Sequence, residues 1–112
     1  MQISTLTINQ ISIKILIEKD FPNTLRDVQS FALKFSEHFG FHVVNTTYHE
    51  FKPYGITFIA ILSESHLAIH TWPEYKTIHV DLVSCKDLKK ADVEAYIKLN
   101  LKSTAIEFMT VS

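Results

Sequence analysis

The chain contains a single cysteine, Cys85, in 112 residues. One thiol can form neither an internal disulfide nor a multi-cysteine metal site, and a reducing cytoplasm is the default location for such a chain. Arg26 is the only arginine and no basic run occurs, so no nucleic acid or other polyanion is expected as a partner. A bilayer span takes roughly 20 apolar residues, and the longest apolar stretches, such as Phe58 to Leu62, are far shorter. The opening MQISTLTINQ lacks the charged-then-apolar layout of a secretory leader. Repeats, low-complexity tracts and linkers are missing too, and two glycines, Gly40 and Gly55, leave few flexible joints.

What is present is a globular balance, with 46% hydrophobic residues, 21% charged residues and a formal net charge of −1. The length suits one domain, residues 1–112. ISIKILIE (11–18) alternates, with Ile11, Ile13, Ile15 and Ile17 on one face, and reads as a strand. Residues 20–40 read as a helix, with Pro22 in its first turn and Gly40 in the left-handed position past its end. Leu25, Val28, Ala32, Phe35 and Phe39 form its apolar stripe. After Gly40 the period changes to two. Strands are predicted over 41–51, 56–62, 65–72 and 77–85, with KPYG as a turn between the first two. A second helix (90–101) and a last strand (104–111) complete the order β-α-β-β-β-β-α-β. Hairpin connections imply a mostly antiparallel sheet with both helices on one face, a two-layer α+β sandwich. The other face then needs a partner, for which a second copy of the chain is the simplest choice.

The stretch SESHLAIHTWPE (63–74) carries more chemistry than a buried strand requires. If Pro73 to Lys76 close a hairpin, Ile69 falls opposite Val80, Leu67 opposite Leu82, His70 opposite His79 and Ala68 opposite Asp81. Apolar residues then meet apolar ones and polar meet polar, which supports the register. Its extension puts Ser65 opposite Ser84 and Cys85 beside the Glu64–Ser65 bond. His70, however, lies five strand residues from Ser65, about 16 Å at roughly 3.3 Å per residue. A histidine that serves Ser65 must therefore come from elsewhere, most simply from a second protomer.

Several ordinary readings compete. A strand histidine is more often structural than catalytic, and six histidines make a chance pair unremarkable. Zinc on His66, His70 and His79 is disfavoured, because His66 and His70 stand about 13 Å apart, too far to share one ion; no metal is expected. A hydrolase built on Ser65, His70 and Asp81 lacks the glycine-flanked turn that exposes a serine nucleophile. Cys85 is by default a small buried hydrophobe. One chemistry uses the odd elements together. The Ser65 hydroxyl attacks the carbonyl carbon of Glu64 and converts the peptide bond to an ester. A base removes the serine α-hydrogen, and elimination leaves Glu64 as a free carboxyl terminus. The residual dehydroalanine hydrolyses to a pyruvoyl group at position 65. That carbonyl forms a Schiff base with an amine and accepts the electrons of a decarboxylation, as pyridoxal phosphate does. A nearby thiol, such as that of Cys85, can return the proton.

ESHLAIHTWPEY, with VDLVSC downstream and YHEFKPYGI upstream, resembles the bacterial-type, pyruvoyl-dependent S-adenosylmethionine decarboxylases. The resemblance is close from Tyr48 to Cys85 and looser over 16–41. It implies self-cleavage into 1–64 and 65–112, with Ser65 becoming the pyruvoyl cofactor. It further implies His70 as the base for elimination and Cys85 as the proton donor in decarboxylation. Phe51 would stack on adenine, Glu74 would hold the ribose hydroxyls, and Thr57 would assist processing and substrate binding where the family usually has serine. The active sites would be shared across a homodimer, and the activity would belong to polyamine (spermidine) synthesis. Phe58 and Lys86 stand where the family usually has glycine, and Phe58 is expected to narrow the pocket. The alternatives are the same chemistry on ornithine or arginine, or an unprocessed, non-catalytic homologue.

Overall fold

The computed structural model describes residues 5–112. Six strands form one sheet, β1 (Asn9–Leu16), β2 (Val43–Glu50), β3 (Ile56–Leu62), β4 (Ser65–Trp72), β5 (Thr77–Ser84) and β6 (Ala105–Val111). Their order is β2-β3-β4-β5-β1-β6, and every neighbouring pair is antiparallel. Two helices, α1 (Leu25–His38) and α2 (Lys90–Asn100), complete the two-layer α+β arrangement expected from the periodicity.

The first strand inserts between β5 and β6, so all four odd isoleucines, Ile11 to Ile17, lie in the core. Alternation sends Ile56, Phe58, Ala60 and Leu62 of β3, and Leu67 and Ile69 of β4, to the same side. From α1, Val28, Phe31, Ala32 and Phe35 pack against them. The α2 ring of Tyr96 lies 5.7 Å from Phe35 and 5.6 Å from Phe39, which binds the two helices together. Thr57, Ile59, Ala68, His70, His79 and Asp81 alternate to the opposite, helix-free face and all remain partly exposed.

The helix α1 starts later than the sequence pattern suggests. Asp20 has a left-handed backbone (φ 55°), and Thr24 is the N-cap, its Oγ1 accepting from Asp27 N–H at 3.1 Å. Pro22 therefore precedes the helix rather than opening it. Thr24→Ala should cost about 1 kcal/mol of stability, readable as a lower denaturant midpoint with an unchanged slope. Past the other end, Gly40 does adopt the expected left-handed conformation (φ 76°). It lets Phe41 N–H return to the Ser36 carbonyl at 2.8 Å.

Candidate active site

The β4–β5 hairpin has the expected register, from Trp72↔Thr77 through His70↔His79 and Ile69↔Val80 to Leu67↔Leu82. Pairing stops at His66↔Val83, one step short of the expected Ser65–Ser84 pair. Ser84 Oγ instead accepts from Lys86 N–H at 3.1 Å, turning the chain out of the sheet, while Ser65 pairs with Leu62 on β3. Cys85 thus lies just beyond the end of the ladder, exposed. Position 86 ties that turn down. The Lys86 ammonium donates to the carbonyls of Phe39 (3.0 Å) and Gly40 (2.6 Å) at the end of α1 and lies over the Phe41 ring.

Strands β3 and β4 are joined by a two-residue turn, Ser63 and Glu64. Glu64 occupies the left-handed region at φ 62°, an uncommon conformation for a residue with a side chain. It costs roughly 1–2 kcal/mol. The Glu64–Ser65 bond therefore leaves a strained residue, at an exposed turn.

At the opposite end of β4 a cleft of about 490 Å3 opens between the β2–β3 turn and the start of the β4–β5 turn. It brings together Phe51, Thr57, His70 and Glu74, four of the residues marked in the sequence. Thr57 and His70 are directly opposite across β3 and β4, with Oγ1 and Nδ1 2.9 Å apart. Glu74 comes from the short 3-10 turn Pro73–Tyr75, where Pro73 pre-sets the first turn. Phe51, half exposed, makes an edge contact with His49 at 4.5 Å. Gly55 shapes the cleft mouth at φ 107°, where Phe51 N–H donates to its carbonyl.

Tyr54 and Trp72 also line this cleft, although neither carried an assigned task in the sequence reading. The available signal was parity, since Trp72 must share the face of His70 two residues earlier. Phe58 corrects an expectation. It is 0% exposed and points into the helix-covered core, opposite to its neighbour Thr57, so it does not narrow the cleft. Phe58→Ala should destabilise the fold by roughly 3–5 kcal/mol, measured by chemical denaturation, by leaving a core cavity. A larger hollow of about 880 Å3, on the far side of Trp72, is lined by that ring together with β1 and β6 residues such as Lys14 and Glu107, and none of Phe51, Thr57, Ser65, His70, Glu74 or Cys85 lines it. Among the described residues no cluster of three or more histidine, cysteine or acidic side chains is arranged to hold a metal ion.

Burial, together with the imidazole of His79 on β5, holds His70 below its ordinary value of 6.5, against a smaller opposing pull from Asp81. The unfolded chain therefore binds this proton more readily than the folded one. The resulting stability is fully present above pH 6.5 and is lost as pH falls through the lower, folded value. Denaturant titrations above and below 6.5 should show that loss, and His70→Gln should reduce it.

Fold and cleft together define a two-layer α+β protein whose site opens on the helix-free side of an antiparallel sheet. The same fold occurs in the crystal structure of the adenosylmethionine decarboxylase from Aquifex aeolicus VF5, with a TM-score of 0.81 and 24% identity, over 97% of this chain and 91% of that one. The S-adenosylmethionine decarboxylase family model matches residues 17–112, and the chain belongs to that family. It is 44% identical over 72 residues to the S-adenosylmethionine decarboxylase proenzyme of Thermosipho melanesiensis, covering 60% of this chain and 52% of that protein. The proenzyme of Picrophilus torridus is 41% identical over 66 residues (58% and 51%), and that of Acidithiobacillus ferrooxidans 47% over 57 (50% and 43%). The matched stretch spans about half the length of these relatives. No helix among the described residues is long and apolar enough to cross a membrane.

Proposed function

We propose that this chain is a self-processing, pyruvoyl-dependent decarboxylase acting on S-adenosylmethionine in the cytoplasm, within polyamine synthesis. The observation that carries the reading is the split of one residue set between the two ends of β4. Ser65 and the Glu64 turn lie at one end, and the Thr57–His70 pair lies in the cleft at the other. Five strand residues, about 16 Å, separate Ser65 from His70. A second copy stacked on the open sheet face, about a two-fold axis that lies between the two faces and crosses the middle of β4, would bring each His70 over its neighbour's β3–β4 turn, at whose rim Ser65 stands. That makes a homodimer with two equivalent sites the working unit.

In this reading the Ser65 hydroxyl attacks the Glu64 carbonyl carbon and forms the ester, and the strain at Glu64 favours departure from the uncleaved geometry. His70 of the neighbouring subunit takes the serine α-hydrogen. For its Nε2 to accept that proton, Nδ1 must carry hydrogen and donate it to Thr57 Oγ1, which fixes the tautomer. The Glu64 carboxylate then leaves, which completes the cut into 1–64 and 65–112, and water would convert the dehydroalanine left at position 65 to the pyruvoyl group with release of ammonia. The residues present suit a pyruvoyl group, because Ser65 is half exposed at the first position of its strand, beside the turn to be cut. The group would supply an electrophilic carbonyl that condenses with the substrate amine and draws off the electrons released with carbon dioxide. Cys85, exposed at the same end of the sheet, serves as the proton donor.

Three aromatic side chains in the cleft, Phe51, Tyr54 and Trp72, favour S-adenosylmethionine over ornithine or arginine. A flat adenine and a sulfonium cation both gain from aromatic faces. Glu74 supplies the acceptor for ribose hydroxyls, and Thr57 retains the hydroxyl at the cleft floor. Carbon dioxide release from a panel of S-adenosylmethionine, ornithine, arginine and lysine tests the assignment. S-adenosylmethionine should be the substrate turned over, and Phe51→Ala should raise its KM more than it lowers kcat. Turnover of a basic amino acid instead would overturn the substrate.

A further inference from the structure

Four side chains run in a line across the open face, one from each of four adjacent strands. Thr57 on β3 meets His70 on β4, His70 lies opposite His79 on β5, and His79 reaches Ser12 on β1. Each end of the line is a hydroxyl holding one ring nitrogen. Thr57 Oγ1 is 2.9 Å from His70 Nδ1, and Ser12 Oγ is 2.7 Å from His79 Nε2. Between them the two imidazoles stand 6.1 Å apart, centroid to centroid, too far to hydrogen-bond but close enough to feel each other's charge. Ser12 is itself buried, so the outer anchor is fixed.

We propose that His79, anchored by Ser12, is a positioning residue for His70 and forms the far side of the processing site. This rests on the reading of His70 as the base of self-cleavage. A base must be unprotonated to act. A second imidazole at this distance opposes the arrival of a proton on His70, because two adjacent imidazolium charges repel. The lowered proton affinity of His70 agrees, with burial as its first cause and His79 as its second. The other charged groups near His79 are few. Asp81 follows it on β5 and accepts from Gln10 Nε2 at 3.0 Å, Lys14 lies opposite on β1, and Glu107 lies opposite Lys14 on β6. Near His70 itself stand Glu74 in the same cleft and His49, opposite Thr57 on β2, and a neighbour placed as proposed adds Glu64, His66 and Cys85 from the end of its sheet that carries the β3–β4 turn. The device extends the range in which the His70 base is available to more acid conditions.

The test uses two readouts. Ser65→Ala chains, which cannot cut themselves, are followed by NMR titration of the His70 ring with and without His79→Gln. Glutamine keeps a polar side chain within reach of Ser12. The His70 midpoint should move up, toward 6.5. A smaller upward move is expected for Ser12→Ala, which frees the His79 ring without removing it. An unchanged or lower midpoint in His79→Gln overturns the proposal. In parallel, cleavage rate against pH is measured in chains that retain Ser65. His79→Gln should shift the acid limb to higher pH, with the loss greatest on the acid side. An equal loss at every pH means a structural role and overturns the proposal. If the midpoint moves and the limb does not, the coupling of the two histidines stands and the assignment of His70 as base falls.

Discussion

Two inactive variants should restore cleavage when co-expressed. His70→Ala alone should leave the chain uncut, because the Ser65 α-hydrogen then has no base to take it. Ser65→Ala alone should leave it uncut because the nucleophile is gone. If each site takes Ser65 from one subunit and His70 from the other, a mixed dimer holds one intact site and one doubly impaired site. The intact site uses the serine of the His70→Ala chain. Cleavage should therefore reappear, and only in that chain, which a mass tag on either variant would identify. Were Ser65 and His70 to act within one chain, mixing would restore nothing. The separation of about 16 Å along β4 is the physical reason to expect the first outcome.

Ser65→Ala and Cys85→Ala should separate processing from catalysis. The first should yield a single chain of 12.9 kDa with no decarboxylation, since it has no route to the pyruvoyl carbonyl. The second should be cut at a near-normal rate, because the thiol enters neither the ester-forming nor the elimination step. Its decarboxylation should fall by roughly 10²–10⁴-fold, the usual worth of a positioned general acid or base. Cleavage assays on denaturing gels and carbon dioxide release on the same samples give both numbers. Full decarboxylation by Cys85→Ala would remove Cys85 from the mechanism.

Much of this was legible in the sequence where local pattern and pairing agree. The bounds of β3 and β4 and the register of the β4–β5 hairpin follow from alternation, because a one-residue slip would turn Leu67 and Ile69 out of the core. The family motif placed Phe51, Thr57, His70 and Glu74, and the sheet gathers them in one cleft. Misreadings arose where a side chain diverts the backbone. Thr24 caps α1 after Asp20 has taken a left-handed turn, and Ser84 bonds Lys86 in place of extending the ladder to Ser65. Phe58 was misread because family position was weighed above parity, which sends it away from Thr57. The Ser12–His79 contact was out of reach. It depends on β1 entering between β5 and β6, a long-range pairing that no local pattern encodes.

The central claim is that the Glu64–Ser65 bond cuts itself and leaves a carbonyl behind. Intact-mass measurement of the purified, unlabelled protein after incubation tests it directly. Two fragments are expected, one ending at Glu64 and one beginning at position 65 with the mass of a pyruvoyl group in place of serine. A single chain at the full 12.9 kDa, unmodified after prolonged incubation above pH 6.5, would contradict it.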